Sequence, residues 1–383
     1  MNYRFHNGEK ISEIGLGGYA LSGAYGKKDP QQFTSIVQGA YEWGVNFFDV
    51  ADIYGPAEQI LGQAVAPFRQ KVWLATKVGW GSQGKPDCSP EHIRASCEKS
   101  LKNLRTDTID LYQIHFNDPD TPVEVTVAAL EKLKSAGKIR YYGIGHVPPD
   151  RLEAFFTLGQ PFSEMTELSA VARSARQRVL PLCLAHRVGV IAFSVTGRGL
   201  LTGKILQGHV FEQGDLRLMD PLFQRERFAS GLRAAEQFRV MGQKYGKTPA
   251  QAAIAWVLAQ PGILCALTGP STMAHLEENL GASGWAISPP DLEELEKFFQ
   301  VDEQRLGEEQ KLSIRLILSQ DLEAEHGLTD LVYALETLVE TGVATEDQVM
   351  PTLGRLLGAR ELPAADLLAE LSSIQVDLHK QFL

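Results

Sequence analysis

From residue 11 to about residue 282, short apolar and β-branched runs alternate with longer stretches that carry one apolar and one polar face at helical spacing. The runs at 13–16, 46–50, 72–76, 108–114, 141–144, 162–168, 188–193 and 264–267 predict eight strands. Helix starts stand between them. Asp29-Pro30, Ser89-Pro90, Thr121-Pro122 and Thr248-Pro249 each set a capping side chain before a proline, whose fixed φ suits a first helical turn. The helices these predict run over 31–43, to Leu104, to Ala136 with Gly137 as a stop, and to Ala259. Strands alternating with helices build parallel β/α units, closed as a barrel or left as an open doubly wound sheet. The pattern alone leaves both open. Gly15, Gly17 and Gly18 are too closely spaced for a G-x-G-x-x-G turn, and no helix start follows them, which weighs against the open dinucleotide-binding sheet. Ahead of the first unit, Asn7-Gly8 sits between Tyr3-Arg4-Phe5 and Ile11, the turn chemistry of a small hairpin suited to plug one end of a barrel.

Beyond about residue 300 the strand signal stops. Residues 301–383 read as helices beginning at Thr329-Asp330, with Leu331, Leu335, Leu338 and Val339 on one face, near Thr345-Glu346-Asp347, and at Pro363-Ala364-Ala365-Asp366. Such faces must pack on each other, on the barrel or on a second subunit, and they are too apolar for a disordered tail. The expected organisation is a barrel over 1–300 and a helical extension over 301–383, acting as a cap or homo-oligomerisation module, with substrate gating or partner binding as the alternative.

Composition narrows the function classes. The 383 residues are 44% hydrophobic and 22% charged, enough apolar material for a large core. A net charge of −10 without a Lys/Arg block argues against nucleic-acid and anionic-membrane partners. No apolar run is long enough to span a bilayer, and Met1-Asn2-Tyr3-Arg4-Phe5-His6 is not the start of a signal peptide. Cys88, Cys97, Cys183 and Cys265 lack metal-ligand spacing and fit a reducing cytoplasm, so the expectation is a cytoplasmic protein without a metal.

Four polar residues fall where predicted strands end. Asp49 closes the second strand, Lys77 the third and His115 the fourth, while Tyr54 lies in the loop after the second. Singly, each has a plain structural reading: a strand-end ion pair, a core histidine, a Tyr-Gly turn. Jointly they sit on the face where α/β barrels do chemistry, and they make an acid/base cluster.

The segment Asn46-Phe47-Phe48-Asp49-Val50-Ala51-Asp52-Ile53-Tyr54-Gly55 resembles the aldo-keto reductase signature. Thr76-Lys77 and Gln113-Ile114-His115 fall where that family keeps its catalytic Lys and His. Ala136-Gly137-Lys138-Ile139-Arg140, Leu180-Pro181-Leu182-Cys183, the stretch 194–204 and Leu276-Glu277-Glu278-Asn279 continue the match in order, over nearly three quarters of the chain. The resemblance implies a (β/α)8 TIM barrel that moves a hydride between NAD(P)H and an aldehyde, ketone or sugar. In that scheme Tyr54 is the general acid/base, Lys77 lowers its pKa, Asp49 holds Lys77, and His115 orients the substrate oxygen.

On the cofactor side the chain departs from the family. Gly145 and His146 stand where a Ser-Asn pair holds the nicotinamide carboxamide, and Met165, or Glu164 or Thr166 in a shifted register, stands where a Gln follows. Phe193 takes the ring-stacking position. The resemblance further places Ser194, Gly199, Leu200, Gly269, Ser271, His275, Glu278 and Asn279 along the cofactor. The loop Thr268-Gly269-Pro270-Ser271-Thr272-Met273-Ala274-His275 has no Lys or Arg for a 2′-phosphate, although Arg198 and Lys204 lie in the loop after strand seven, so NADP and NAD both stay open. Tyr19, Tyr25, Trp80, Phe116 and His146 are expected to wall the substrate pocket, and 205–228 is long enough to fold over it as a lid. Two rival readings remain: a sugar dehydrogenase or redox epimerase/lyase working oxidatively, and a cofactor-sensing scaffold acting through the helical tail.

Overall fold

A computed structural model of the chain describes residues 1–383 apart from 27, 28, 83, 320, 323–325, 342, 360, 361 and 383. The chain divides into two compact units, Met1–Asp215 with Ala234–Leu292, and Leu216–Arg233 with Glu293–Leu383.

The first unit opens with an antiparallel hairpin of β1 (Tyr3–His6) and β2 (Glu9–Ser12). Asn7 (φ 48°) and Gly8 (φ 82°) turn it, both in the left-handed region that a two-residue hairpin loop needs. The strands β3 (Ile14–Gly17), β4 (Phe47–Asp49), β5 (Trp73–Val78), β6 (Ile109–Ile114), β7 (Ile139–Gly145), β8 (Ser163–Glu167), β9 (Gly189–Phe193) and β10 (Ile263–Thr268) then close, all parallel, into an eight-stranded barrel. All eight expected strands are present, to within two residues at either end, and the closed sheet settles the choice in favour of the (β/α)8 TIM barrel. The hairpin lies at the N-terminal ends of the strands. Arg4 donates to the carbonyls of Ile263 (2.5 Å) and Leu258 (2.7 Å), the His6 ring meets Phe162 edge-on at 4.9 Å, and Ile11 joins the barrel core.

Around the barrel run α1 (Pro30–Glu42), α2 (Ala57–Val65), α3 (Pro90–Leu104), α4 (Val123–Ser135), α5 (Pro149–Leu158), α6 (Ala175–His186), α8 (Pro249–Leu258) and α9 (Met273–Leu280), with α7 (Arg225–Tyr245) between α6 and α8 in the chain. Three of the four expected caps form: Asp29 accepts from Gln31, Ser89 from His92, and Thr248 builds a reciprocal box with Gln251. The fourth does not: Pro122 takes the cap position of α4 with no side-chain cap bond, and the Thr121 hydroxyl donates to Asp118 at 2.6 Å. The barrel interior is packed by Phe47, Trp73, Leu111, Phe162, Met165, Ile191, Leu264 and Leu267. β3 and β10 pack tightly against it, since a Cβ on Gly15 would stand 2.8 Å from Cys265 Sγ. All four cysteines are free and buried; burial pushes the Cys88 thiol up to about 12 and Cys97 up to about 11, which keeps both as inert thiols.

The second unit is helical: α10 (Pro289–Ser319), in which residue 300 falls, then α11 (Gly327–Glu340), α12 (Glu346–Ala359) and α13 (Ala364–Phe382). The apolar stripe expected at Leu331, Leu335 and Leu338 is its core, packed against Ile314, Leu318, Leu371, Ile374 and Leu378. Arg225 pairs with Asp330 at 2.6 Å, and Glu226 accepts from Tyr333 at 2.8 Å, so the start of α7 belongs to this unit. Of the stretch 205–228, the part up to Asp215 belongs to the first unit and the part from Leu216 to the second. Among the described residues no helix is long and apolar enough to cross a membrane.

α2 and α3 approach so closely that a Cβ on Gly62 would stand 2.5 Å from the Leu104 carbonyl carbon. Gly62→Ala therefore forces the helices apart and should cost about 1–3 kcal/mol, seen as a lower urea midpoint for the barrel unit with its strand circular dichroism retained.

Candidate active site

The barrel brings together at its C-terminal mouth the four residues that the strand ends predict. Asp49 ends β4, Lys77 lies on β5 one residue before its end, and His115 directly follows β6. Tyr54 hangs in the loop after β4, whose turn is closed by a bond from the Tyr54 N–H to the Ala51 carbonyl at 3.1 Å. The four are almost fully enclosed, none more than 8% exposed.

Lys77 Nζ makes a salt bridge with Asp49 Oδ1 and donates to the Val50 carbonyl at 2.6 Å. Its ammonium stands 4.9 Å from the centre of the Tyr54 ring. Burial works to discharge this lysine, but the Asp49 carboxylate and Tyr54 outweigh it, so Lys77 is held above the ordinary lysine range. Gln113 on β6, which the strand pattern does not distinguish, donates from Nε2 to Asp49 Oδ2 at 3.0 Å. The expected lowering of Tyr54 by Lys77 operates but does not win: burial is the larger influence, and the phenol stands above its ordinary value of 10.0. Tyr54 is thus a protonated donor in this state of the protein.

His115 is pushed down to about 2, by burial first and then by Lys77 and His146. It is a neutral imidazole. Its Nδ1 is buried without a hydrogen-bond partner among the described residues. Orphaned buried N–H groups are rarer than orphaned acceptors, which assigns the proton to Nε2. His146, with φ 49°, lies over His115 (ring centres 5.6 Å, 26°) and makes a 2.9 Å bond from Nδ1 to the His115 carbonyl. A carbonyl only accepts, so His146 Nδ1 carries the proton; burial lowers its pKa, which leaves Nε2 with a lone pair. Gly145 is the register partner of Met165, and a Cβ there would stand 3.3 Å from the Met165 carbonyl oxygen. The close approach of β7 and β8 thus explains why a glycine faces a methionine here. Glu164 is buried, held far above the usual carboxylate range, and near enough to Cys183 on α6 to push that thiol up.

The other four expected wall residues stand at the same mouth as His146. Tyr19 meets Tyr54 edge-on at 5.1 Å and Tyr25 at 5.7 Å, Phe116 lies 4.2 Å from His115, and Trp80 lies 5.0 Å from Phe116. Trp80 and Tyr19 are 39% and 37% exposed. Phe193 ends β9 with its ring 5.1 Å from His146, and Ser194 (φ 53°), Gly199 (φ 94°) and buried Leu200 follow in the next loop. After β10, Gly269 leads to Ser271, whose hydroxyl bonds His275 Nδ1 at 3.0 Å. On α9, Glu278 binds Lys204 at 2.6 Å, while Asn279 sits one residue on. Arg198 pairs with Glu167 at 3.1 Å.

A model of the aldo/keto reductase family matches residues 13–299. The chain is 34% identical over 298 residues to a probable aldo-keto reductase 1 of Glycine max, covering 75% of this chain and 85% of that one. It is 33% identical over 297 residues to aldo-keto reductase YhdN of Bacillus subtilis, covering 75% and 90%. Among solved structures it superposes on the glycerol dehydrogenase AKR11B4 of Gluconobacter oxydans (TM-score 0.71, 30% identity, 77% of this chain and 94% of that one). It also superposes on the holo form of aldo-keto reductase AKR11C1 of Bacillus halodurans (TM-score 0.65, 28% identity, 78% and 96%).

A histidine in an unfolded chain titrates near pH 6.5, whereas His115 in the folded chain does so at about 2. Between these values the unfolded chain binds a proton that the folded one refuses, so His115 makes stability fall as pH drops below about 6.5, by up to about 1.4 kcal/mol per pH unit. Urea unfolding at a series of pH values should show that His115→Asn flattens this fall; an unchanged slope would mean that His115 is charged in the fold.

Proposed function

The chain belongs to the aldo/keto reductase family, and from that premise we propose that it transfers a hydride between NAD(P)H and a small carbonyl or alcohol, with Tyr54 as general acid/base. The observation that carries this reading is the enclosed set Tyr54, Lys77, Asp49 and His115 at the barrel mouth. When bound, the nicotinamide supplies or accepts the hydride. The residues at the mouth fit such a ring: Phe193 offers an aromatic face and His146 Nε2 a hydrogen-bond acceptor beside it.

In the reductive direction a carbonyl oxygen gains negative charge and needs a proton. Tyr54 holds one, and the ammonium of Lys77 against its ring stabilises the phenolate left behind. Asp49 keeps that ammonium charged although burial strips it of bulk solvation. His115 Nε2–H is directed at the same oxygen, fixing its position and stabilising its charge without giving up its own proton, since a neutral imidazole is a far weaker acid than the phenol. Tyr19, Tyr25, Trp80 and Phe116 supply a mostly apolar wall that suits an aldehyde, ketone or sugar face. The oxidative direction is the second reading. It is favoured by the likeness to a glycerol dehydrogenase, and the same groups serve it with Tyr54 as base.

The nucleotide end favours no 2′-phosphate. Ser271 and His275 are bonded to each other, and Lys204 is paired with Glu278. NAD and NADP therefore bind comparably in this reading.

Two outcomes test the proposal. Tyr54→Phe should lower turnover by at least about a hundredfold while NADH binding, read by fluorescence quenching, stays within about threefold; retained turnover would refute the role of Tyr54. Ser271→Arg should tighten NADPH about tenfold and leave NADH unchanged, because only the 2′-phosphate gains a fork of donors.

A further inference from the structure

Beneath the mouth, three barrel strands carry Gln113, Gly143 and Ser163 side by side: Gln113 pairs with Gly143 and Gly143 with Ser163. Gln113 is also the register partner of Lys77. It is 1% exposed, and its amide nitrogen is committed to Asp49 Oδ2 at 3.0 Å, while Oε1 finds no partner among the described residues. A buried amide with half its bonding unmet is costly, and an apolar side chain would pack there without that cost. What Gln113 contributes lies at its other end. The two oxygens of Asp49 are divided between two donors, Lys77 on Oδ1 and Gln113 on Oδ2.

We propose that Gln113 is a positioning residue for proton transfer at Tyr54: by donating to Asp49 across the barrel it keeps Asp49 and Lys77 an ion pair, and so keeps a full positive charge against the Tyr54 ring. This rests on the reading of Tyr54 as the acid/base. Isolated from water, an ammonium and a carboxylate in contact can lower their energy by passing the proton over and becoming an amine and an acid. A second donor on the carboxylate opposes that transfer, because it bonds the charged oxygen more strongly than a neutral acid. Burial raises Asp49, and the bonds from Lys77 and Gln113 pull the other way. The other titratable groups facing this network are Tyr54, Tyr19 and Asp52 from the mouth, His115 and His146 beyond β6 and β7, and the Cys265 thiol on β10. None of them supplies Asp49 with another hydrogen bond among the described residues.

Gly143 fits the same account. A Cβ on it would stand 2.8 Å from Ser163 Oγ and 3.1 Å from Gln113 Cγ. The bare backbone on β7 leaves Gln113 the room to lie where it reaches Asp49.

Infrared difference spectroscopy of the intact protein at neutral pH tests this without a substrate. Gln113→Met fills a similar volume but donates nothing. Its spectrum minus that of the Gln113→Met/Asp49→Asn double variant should show the carbonyl band of a buried, protonated carboxyl; wild type minus Asp49→Asn should show only ionised carboxylate. Glu164, which burial keeps protonated, is common to every protein and cancels. In parallel, the phenolate absorbance assigned to Tyr54 by subtracting Tyr54→Phe should appear at higher pH in Gln113→Met, by about one pH unit, since a donor to a charged group is lost. Gly143→Ala keeps the amide but presses on it, and should show a weaker band of the same kind. That variant decides the matter if Gln113→Met does not fold, because an ionised Asp49 in it would overturn the proposal. An ionised Asp49 in folded Gln113→Met overturns the proposal and leaves Tyr54's role intact, whereas turnover by Tyr54→Phe overturns that role whatever the band shows.

Discussion

An ammonium cannot sit dry in the middle of a protein unless a carboxylate meets it there, and the mouth of this barrel is arranged around that requirement. Lys77 is 2% exposed, and its partner Asp49 is 4% exposed on the neighbouring strand. Parallel strands in a closed barrel end together on one face, so residues far apart in sequence meet within a few ångströms without any loop having to be held in place. The remaining features follow from the pair. Tyr54 has its ring against the ammonium, His115 is driven to neutrality partly by the same charge, and Gln113 satisfies the carboxylate oxygen that Lys77 leaves. The packed hydrophobic floor below, from Phe47 to Leu267, keeps water from relaxing the arrangement.

Opposed influences meet at Tyr54. Burial favours the phenol and the ammonium favours the phenolate, with burial prevailing in the free protein. That balance suits a group that must give up a proton only when a developing alkoxide is there to take it, because the ammonium's contribution is in place before the proton moves.

Much of this was legible in the sequence, for a physical reason. Strand periodicity and proline-led helix starts are local signals, and a parallel barrel turns them directly into three dimensions; Asp49, Lys77 and His115 were legible as one cluster at the barrel mouth because they lie where their strands stop. What the sequence left dark depends on contacts across the barrel. Nothing local marks Gln113 as different from any strand glutamine, since its partner is on β4, two strands away. The sign of the Tyr54 displacement required the degree of burial, which spacing does not give. Thr121 looked like a helix cap, but α4 starts one residue later, with Pro122 in the cap position, and the Thr121 hydroxyl is turned to Asp118. In the tail, the stripe of Leu331, Leu335 and Leu338 correctly announced a buried face, but the start of α7 packs with it only because Arg225, Glu226 and Arg227 find Asp330, Tyr333 and Thr337.

The central claim is that the Lys77 ammonium, held by Asp49, assists proton transfer at Tyr54 during hydride transfer. Its most direct test is a single-turnover measurement on Lys77→Met with NAD(P)H carrying deuterium at the transferring carbon. The account predicts that the isotope-sensitive step slows by at least about a hundredfold while cofactor affinity changes little. An isotope-sensitive step at the wild-type rate in that variant would contradict it.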